Sequence, residues 1–324
     1  MVRRIEALVP MEHYAPPWRG SAFLLYAGSF VALAAGLGLL AALGNDGAGE
    51  LAGWSALVLA LTLGAALGLE RAERHVLAGL AAFLAVVFFA VLFGAVESWI
   101  GFFPDAEAGP DFQPEFEPSV ILLGLATIAA GIAALRRFRF PLIGLLIAVT
   151  FAFLVVDQDT VFAGSDAGNG TRSVLAVIAG AVLVALGLAL DRDGRPAYGF
   201  WFHAVGAAAI GSGILQLAEH GGWGWTVIGL ASLGYVAVAV ATGRSVWAVL
   251  GAIGVVATGT YAIADWLGLV GFVPFFGELS DAAEPWQLAL AYVVVGLILI
   301  LLGLLVRSRE EPYLAPAEST VPPE

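Results

Sequence analysis

Residues 76–96 read VLAGLAAFLAVVFFAVLFGAV, a run of 21 positions without a charged or hydrogen-bonding side chain. About 20 consecutive apolar residues in an α-helix are enough to cross the hydrocarbon core of a bilayer. A helix also satisfies its backbone hydrogen bonds internally, which a membrane requires of any segment exposed to lipid. This stretch therefore predicts a membrane-spanning helix, which we place at residues 76–103.

The rest of the chain has the same character. Of its 324 residues, 60% are hydrophobic and 12% are charged, the mean hydropathy is +0.92 and the net charge is −12. Soluble domains carry about 25% charged residues, so this composition excludes an ordinary soluble enzyme and a disordered chain. It also excludes a nucleic-acid binder, which needs an excess of basic groups to neutralise phosphates. We predict an all-α, polytopic helical membrane protein.

Ten apolar stretches are long enough to be spans. They give a cytoplasmic N-terminal segment at 1–20, a transmembrane domain at 21–306 and an acidic, proline-rich cytoplasmic tail at 307–324. The first stretch is predicted to stay in the mature chain, with cleavage near Ala42 as the alternative. The ten predicted spans are residues 21–43, 51–69, 76–103, 119–135, 140–156, 173–190, 198–217, 223–241, 245–270 and 286–306.

Charges separate cleanly between the loops that these spans define. Thirteen of the 14 arginines fall on the side of the two termini, and only Arg172 falls on the other. The opposite side holds 16 of the 26 acidic residues, counting Glu97 and Asp265 near the ends of their spans. Because basic residues mark the cytoplasmic side, both termini are predicted to be inside. Arginine-only basic usage with abundant Ala, Gly, Val and Leu is typical of a bacterial chain, hence of a bacterial inner membrane.

A hairpin pattern recurs between the first and the tenth span. An apolar helix, a short basic turn and a returning helix that ends in a carboxylate occur at Glu97, Asp157, Glu219 and Asp265. Repeats of this kind, all with one orientation, would be related by an axis along the membrane normal. The alternative is that alanine-rich helices with basic turns resemble one another by default.

The same four acids are the candidate ion or proton site: Asp265, Glu97, Asp157 and Glu219. Acidic side chains within membrane spans mark ion and proton pathways, so a convergent set is a functional hypothesis. The alternative is that each acid marks the point where its helix leaves the bilayer. Asp265 and Glu97 are followed by further apolar residues and are therefore predicted to be the most deeply embedded.

Polar groups within the later spans are candidates to line a pathway: His203, Ser212, Gln216 and Thr258. A histidine at position 203 is able to pass protons near neutral pH. Small polar residues equally well allow helices to approach closely, which is the alternative interpretation. The tryptophans cluster near predicted span ends, as expected for aromatic belts.

Known catalytic motifs are missing from the sequence. It contains no phosphate loop, no dinucleotide-binding glycine motif, no His-Glu-x-x-His and no nucleophile elbow. We therefore predict no enzyme activity, no cofactor and no metal site. The predicted partners are the lipid bilayer and a small solute or cation, with no nucleic acid.

Three segments carry a family resemblance: residues 198–203 (YGFWFH), residues 243–251 (GRSVWAVLG) and residues 264–266 (ADW). They resemble stretches of uncharacterised bacterial multi-pass membrane proteins built of serial helical hairpins, a family that implies no particular activity. The ten spans and internal termini are also similar to drug/metabolite transporters, whose halves are inverted repeats. The hairpins predicted here keep one orientation, unlike those inverted halves. The helix number, the glycine-rich helices and the candidate acids lead us to expect a protein that transports or senses a small solute or ion through a cavity among the hairpins. The alternative is a membrane scaffold or assembly factor without transport or catalysis.

Overall fold

The computed structural model describes residues 20–43, 47–102, 118–157 and 169–266, and side chains over most of that length. This part of the chain is helical, with nine α-helices and one short 3-10 helix. The helices are α1 (Gly20–Leu43), α2 (Ala48–Arg71), α3 (His75–Trp99), α4 (Pro118–Phe138), α5 (Ile143–Val156), α6 (Asn169–Arg192), α7 (Pro196–Leu215), the 3-10 helix Gln216–His220, α8 (Gly222–Thr242) and α9 (Ser245–Trp266).

Seven of the described helices are long and apolar enough to cross a membrane. They are α2, α3, α4 and α6 to α9, with α7 counted together with the 3-10 turn that follows it. Helix α5 is shorter, at 14 residues. In the described part of the chain, nine of the ten predicted spans coincide with the nine helices α1 to α9 to within a few residues. The span at 286–306, the residues before Gly20 and the tail at 307–324 lie outside the described residues.

The chain divides into two compact units near Thr150. In the first unit, α3 packs against α2 and α4 and also contacts α1. It is correspondingly the most buried helix, with Leu80, Phe83 and Phe88 each no more than 3% exposed. In the second unit, α6 pairs with α7 and α8 pairs with α9, while α7 also contacts α9.

Four basic turns share one backbone conformation. Glu73, Arg139, Gly194 and Gly243 each adopt a positive φ between 51° and 73°, the left-handed conformation that reverses a chain at a helix end. In two of the turns, the residue after the positive-φ position donates its backbone N–H to the carbonyl oxygen five residues earlier. Arg74 N donates to Leu69 O and Arg195 N donates to Leu190 O, both at 2.9 Å. Three of the four turns join helices that pack against each other, α2 with α3, α6 with α7 and α8 with α9. The repeated hairpin and its duplication stay predictions.

Glycines bring the helices of the second unit into backbone contact. A Cβ at Gly206 of α7 would lie 2.8 Å from the carbonyl oxygen of Gly180 in α6. A Cβ at Gly251 of α9 would likewise lie 2.8 Å from the carbonyl oxygen of Ser232 in α8. Real Cβ atoms do not approach so closely, so these positions accept only glycine in the observed packing. Small residues therefore hold each hairpin of this unit together.

Candidate functional site

Among the members of the predicted acidic set whose side chains are described, Glu97 is the one that is buried. It lies in the last turn of α3, only 3% exposed, and neither carboxylate oxygen has a hydrogen-bond partner. By contrast, Asp157 and Glu219 are exposed at the ends of their helices. Asp265 is in the last turn of α9, and its side chain lies outside the described residues.

Two buried serines accompany Glu97 on the helices packed against α3. Ser55 of α2 is 0% exposed and Ser119 of α4 is 1% exposed, and both hydroxyl oxygens lack hydrogen-bond partners. A buried serine in a helix usually bonds a carbonyl of the preceding turn, as Thr127 does with Leu123 O at 2.8 Å. Three unsatisfied polar groups at one end of a helix trio are unusual, because buried polar atoms are nearly always paired.

Neighbouring contacts fix the relative heights of these three residues. Gly49 of α2 faces the indole of Trp99, and a Cβ at position 49 would lie 3.2 Å from Nε1 of that ring. Gly94 faces Leu123 of α4, with 3.7 Å between a Cβ at position 94 and the leucine Cδ2. Because α3 is antiparallel to both neighbours, Ser119 lies level with Glu97 and Ser55 lies about one turn deeper. These three buried residues lie at similar heights on neighbouring helices, and we call them together the acid-end site: Glu97, Ser55 and Ser119.

Chemically, the acid-end site offers a carboxylate and two hydroxyls without a basic partner. An ionised carboxylate buried without donors is strongly disfavoured, so a proton or a cation must neutralise it. Carboxylate and hydroxyl oxygens are suitable ligands for hard cations. The described residues contain no cluster of three His, Cys, Asp or Glu side chains able to hold a metal ion.

The second unit holds a different polar cluster, the basic-end node, made of Asp191, His203 and Arg244. The Nε2 atom of His203 lies 3.1 Å from one carboxylate oxygen of Asp191, and Arg244 donates to the other oxygen. His203 is 0% exposed, and its Nδ1 has no hydrogen-bond partner. The node joins the end of α6, the first half of α7 and the residue preceding α9.

Aromatic rings and glycines complete the basic-end node. The ring of Trp247 packs edge-to-face on His203, with centroids 6.2 Å apart, and on Tyr235, with centroids 4.9 Å apart. The hydroxyl of Tyr235 donates to Ala207 O at 2.6 Å. Gly187 gives the imidazole its space, since a Cβ there would lie 3.0 Å from Cδ2 of His203. Through these contacts, the basic-end node holds the helices α6 to α9 against one another.

The other predicted pathway residues differ in how exposed they are. Ser212 and Gln216 are exposed, and the Ser212 hydroxyl donates to Ala209 O at 2.9 Å. Thr258 of α9 is half-buried, with its hydroxyl oxygen buried and unpartnered beside Gly229. A shared pathway through these residues and His203 stays a prediction.

Sequence reasoning singled out Glu97 and His203 but missed their neighbours. Ser55 and Ser119 are small polar residues in apolar stretches and give no signal of their own. Asp191 lies among the arginines of a basic turn, and its opposite charge is the one feature of the sequence that points to an ion pair there. Trp247, predicted to belong to an aromatic belt, is instead 4% exposed in the node, whereas Trp99 and Trp223 are 67% and 72% exposed, as a belt requires.

Comparisons of the chain with models of known protein families, with curated proteins and with solved structures found no match. The acid-end site and the basic-end node are therefore the features of the chain that bear on its function.

Proposed function

We propose that this chain is a multi-pass membrane protein that transports or senses a small solute or ion, and that Glu97 takes up the proton or cation involved. The observation that supports it is a carboxylate buried in a span with both oxygens unpartnered. Intramembrane acids of this kind mark ion and proton pathways. The arginine distribution supports placement in a bacterial inner membrane with both termini in the cytoplasm.

Labelling with a carbodiimide tests the binding step without knowledge of the solute. Carbodiimides modify carboxylic acids in their protonated form, particularly in apolar surroundings. We expect the peptide that contains Glu97 to gain the adduct in the intact protein in detergent, and raising the pH to prevent it. If a metal cation is the ligand, sodium should also protect Glu97 at constant pH. Labelling at Glu97 no faster than at the exposed Glu50 would contradict the proposal.

Flux through proteoliposomes tests the transport step. Glu97→Gln removes the charge with little change of shape, so we expect proton or sodium flux down an imposed gradient to fall about tenfold or more. The matched control is Glu50→Gln, an exposed glutamate at the start of α2 in the same unit. Equal flux in wild type and both variants would contradict the role of Glu97 in transport.

The scaffold alternative makes the opposite prediction. A protein without transport would show no flux above empty liposomes, and Glu97→Gln would change stability alone. Measuring the unfolding temperature beside flux therefore separates the two functions. Asp265→Asn and Asp157→Asn, tested in the same way, decide whether the other acids belong to the same pathway.

A further inference from the structure

An apolar groove runs between three helices of the first unit. Its volume is about 460 Å³, within the range of small-molecule sites. Leucines spaced four residues apart on α2 form one wall, alanines of α4 form the other, and α3 forms the floor. The residues that define it best are Leu59, Leu63, Leu67, Phe89, Ala130 and Ala134.

The groove occupies the half of the unit nearest to the basic turns. On α2 its lining begins at Leu59 and continues to Leu67, four residues before the helix ends at Arg71. On α4 its lining reaches Arg137 and Phe138 at the helix end. If these helices span a bilayer, the groove lies in one leaflet and opens sideways toward the lipid chains.

Positive charge is concentrated at the end of this groove. Arg137 lines it, with its side chain 60% exposed, and Arg136 beside it is also exposed. The two adjoining turns carry five arginines against two glutamates, so this end is net positive. One Nη of Arg137 donates to Glu70, which orients the guanidinium across the gap between α4 and α2.

We propose that this groove binds one acyl chain of an anionic glycerophospholipid, with the lipid phosphate held by Arg136 and Arg137. A planar guanidinium matches the geometry of a phosphate and keeps its charge at all relevant pH values. Basic pockets between membrane helices recognise anionic headgroups in this way. A zwitterionic lipid is less favoured, because its ammonium group meets the surplus of arginines.

Native mass spectrometry of the full chain in detergent, titrated with phosphatidylglycerol or phosphatidylcholine of identical chains, tests the headgroup. We expect phosphatidylglycerol to bind the wild type more tightly, and Arg136→Gln with Arg137→Gln to weaken that binding about tenfold. The matched control is Arg192→Gln with Arg195→Gln, two exposed arginines of a basic turn in the second unit. Equal affinity for both lipids, or equal losses in both double variants, would overturn the proposal.

A second pair of variants tests the groove with all charges kept. Ala134→Phe fills the groove and should weaken phosphatidylglycerol binding, whereas Ala129→Phe, on an exposed part of α4 outside the groove, should not. Loss of a dimer in Ala134→Phe with unchanged lipid binding would show that a second copy occupies the groove, and would overturn the proposal. Glu97→Gln should leave lipid binding unchanged, so this inference stands or fails separately from the transport proposal.

Discussion

At the scale of single residues, Asp191 is the centre of the basic-end node. Its two carboxylate oxygens serve different helices, one facing His203 of α7 and the other accepting from Arg244 ahead of α9. The side chain is 23% exposed, so the pair is only partly shielded from water. Hydrogen bonds to charged groups in such positions contribute more to stability than neutral ones.

Asp191→Asn should therefore destabilise the folded protein by roughly 1.5–3 kcal/mol, because Arg244 keeps its charge and loses its counter-charge. The measurement is thermal unfolding in detergent, followed by tryptophan fluorescence. Asp193→Asn is the control, since Asp193 is exposed in the same turn. A shift in Asp193→Asn as large as in Asp191→Asn would show that the loss reflects overall charge rather than the node.

The histidine and the glutamate illustrate what a sequence conveys about a site. Each is a polar residue in or beside an apolar stretch, and this contrast with the neighbouring residues makes it recognisable in the sequence. His203 bonds Asp191 of the preceding helix, 12 residues away, and Asp191 in turn accepts from Arg244, 53 residues away. Apolar periodicity reports which residues enter a bilayer, but it contains no information on which helices become neighbours.

At the scale of helices, glycine determines how closely α6 and α7 pack. Cβ atoms at Gly180 and Gly206 would meet the backbone of the opposite helix at 2.5 and 2.8 Å. Further along, a Cβ at Gly213 would meet Ser173 O at 2.6 Å. Van der Waals packing of this kind is the main source of helix association in a bilayer, where lipid chains are as apolar as leucine.

Gly206→Ala should consequently separate α6 from α7 and destabilise the protein by about 1–3 kcal/mol, as overpacking does in other interiors. Gly234→Ala is the matched control in α8, because nothing lies within 4 Å of a Cβ at that position. Alanine is the better helix former, so Gly234→Ala should be neutral or stabilising by up to about 1 kcal/mol. Thermal unfolding of both variants checks the opposite signs, and equal destabilisation would contradict the packing argument.

Helix positions were predictable, whereas helix contacts were not. Apolar length and basic turns give the bounds of α2, α4 and α8 to within three residues at each end. Glycines recur within the returning helices of the sequence, as at Gly206 and Gly251, but the sequence does not show which backbone each one contacts. The groove between α2, α3 and α4 left no signal, because its leucines and alanines look like those of any span.

At the scale of the whole molecule, the charge distribution is the basis of the predicted orientation of the chain. The absence of native cysteine allows single reporters to be introduced on a clean background. Cysteines at positions 108 and 167 should react with an impermeant maleimide added from the periplasmic side, and a cysteine at 194 should react only after the membrane is opened. The reverse pattern would overturn the predicted orientation.

The bond between Asp191 and Arg244 also has a consequence for biosynthesis. Membrane helices are made in order, so α6 and α7 leave the ribosome before Arg244 exists. During that interval, the α6–α7 hairpin contains Asp191 and His203 but lacks the guanidinium that donates to Asp191 in the folded protein. We therefore expect the α6–α7 hairpin to be less stable before Arg244 and the residues of α9 have joined it than afterwards. Chains that stop short of Arg244 should for this reason be recognised by quality-control proteases.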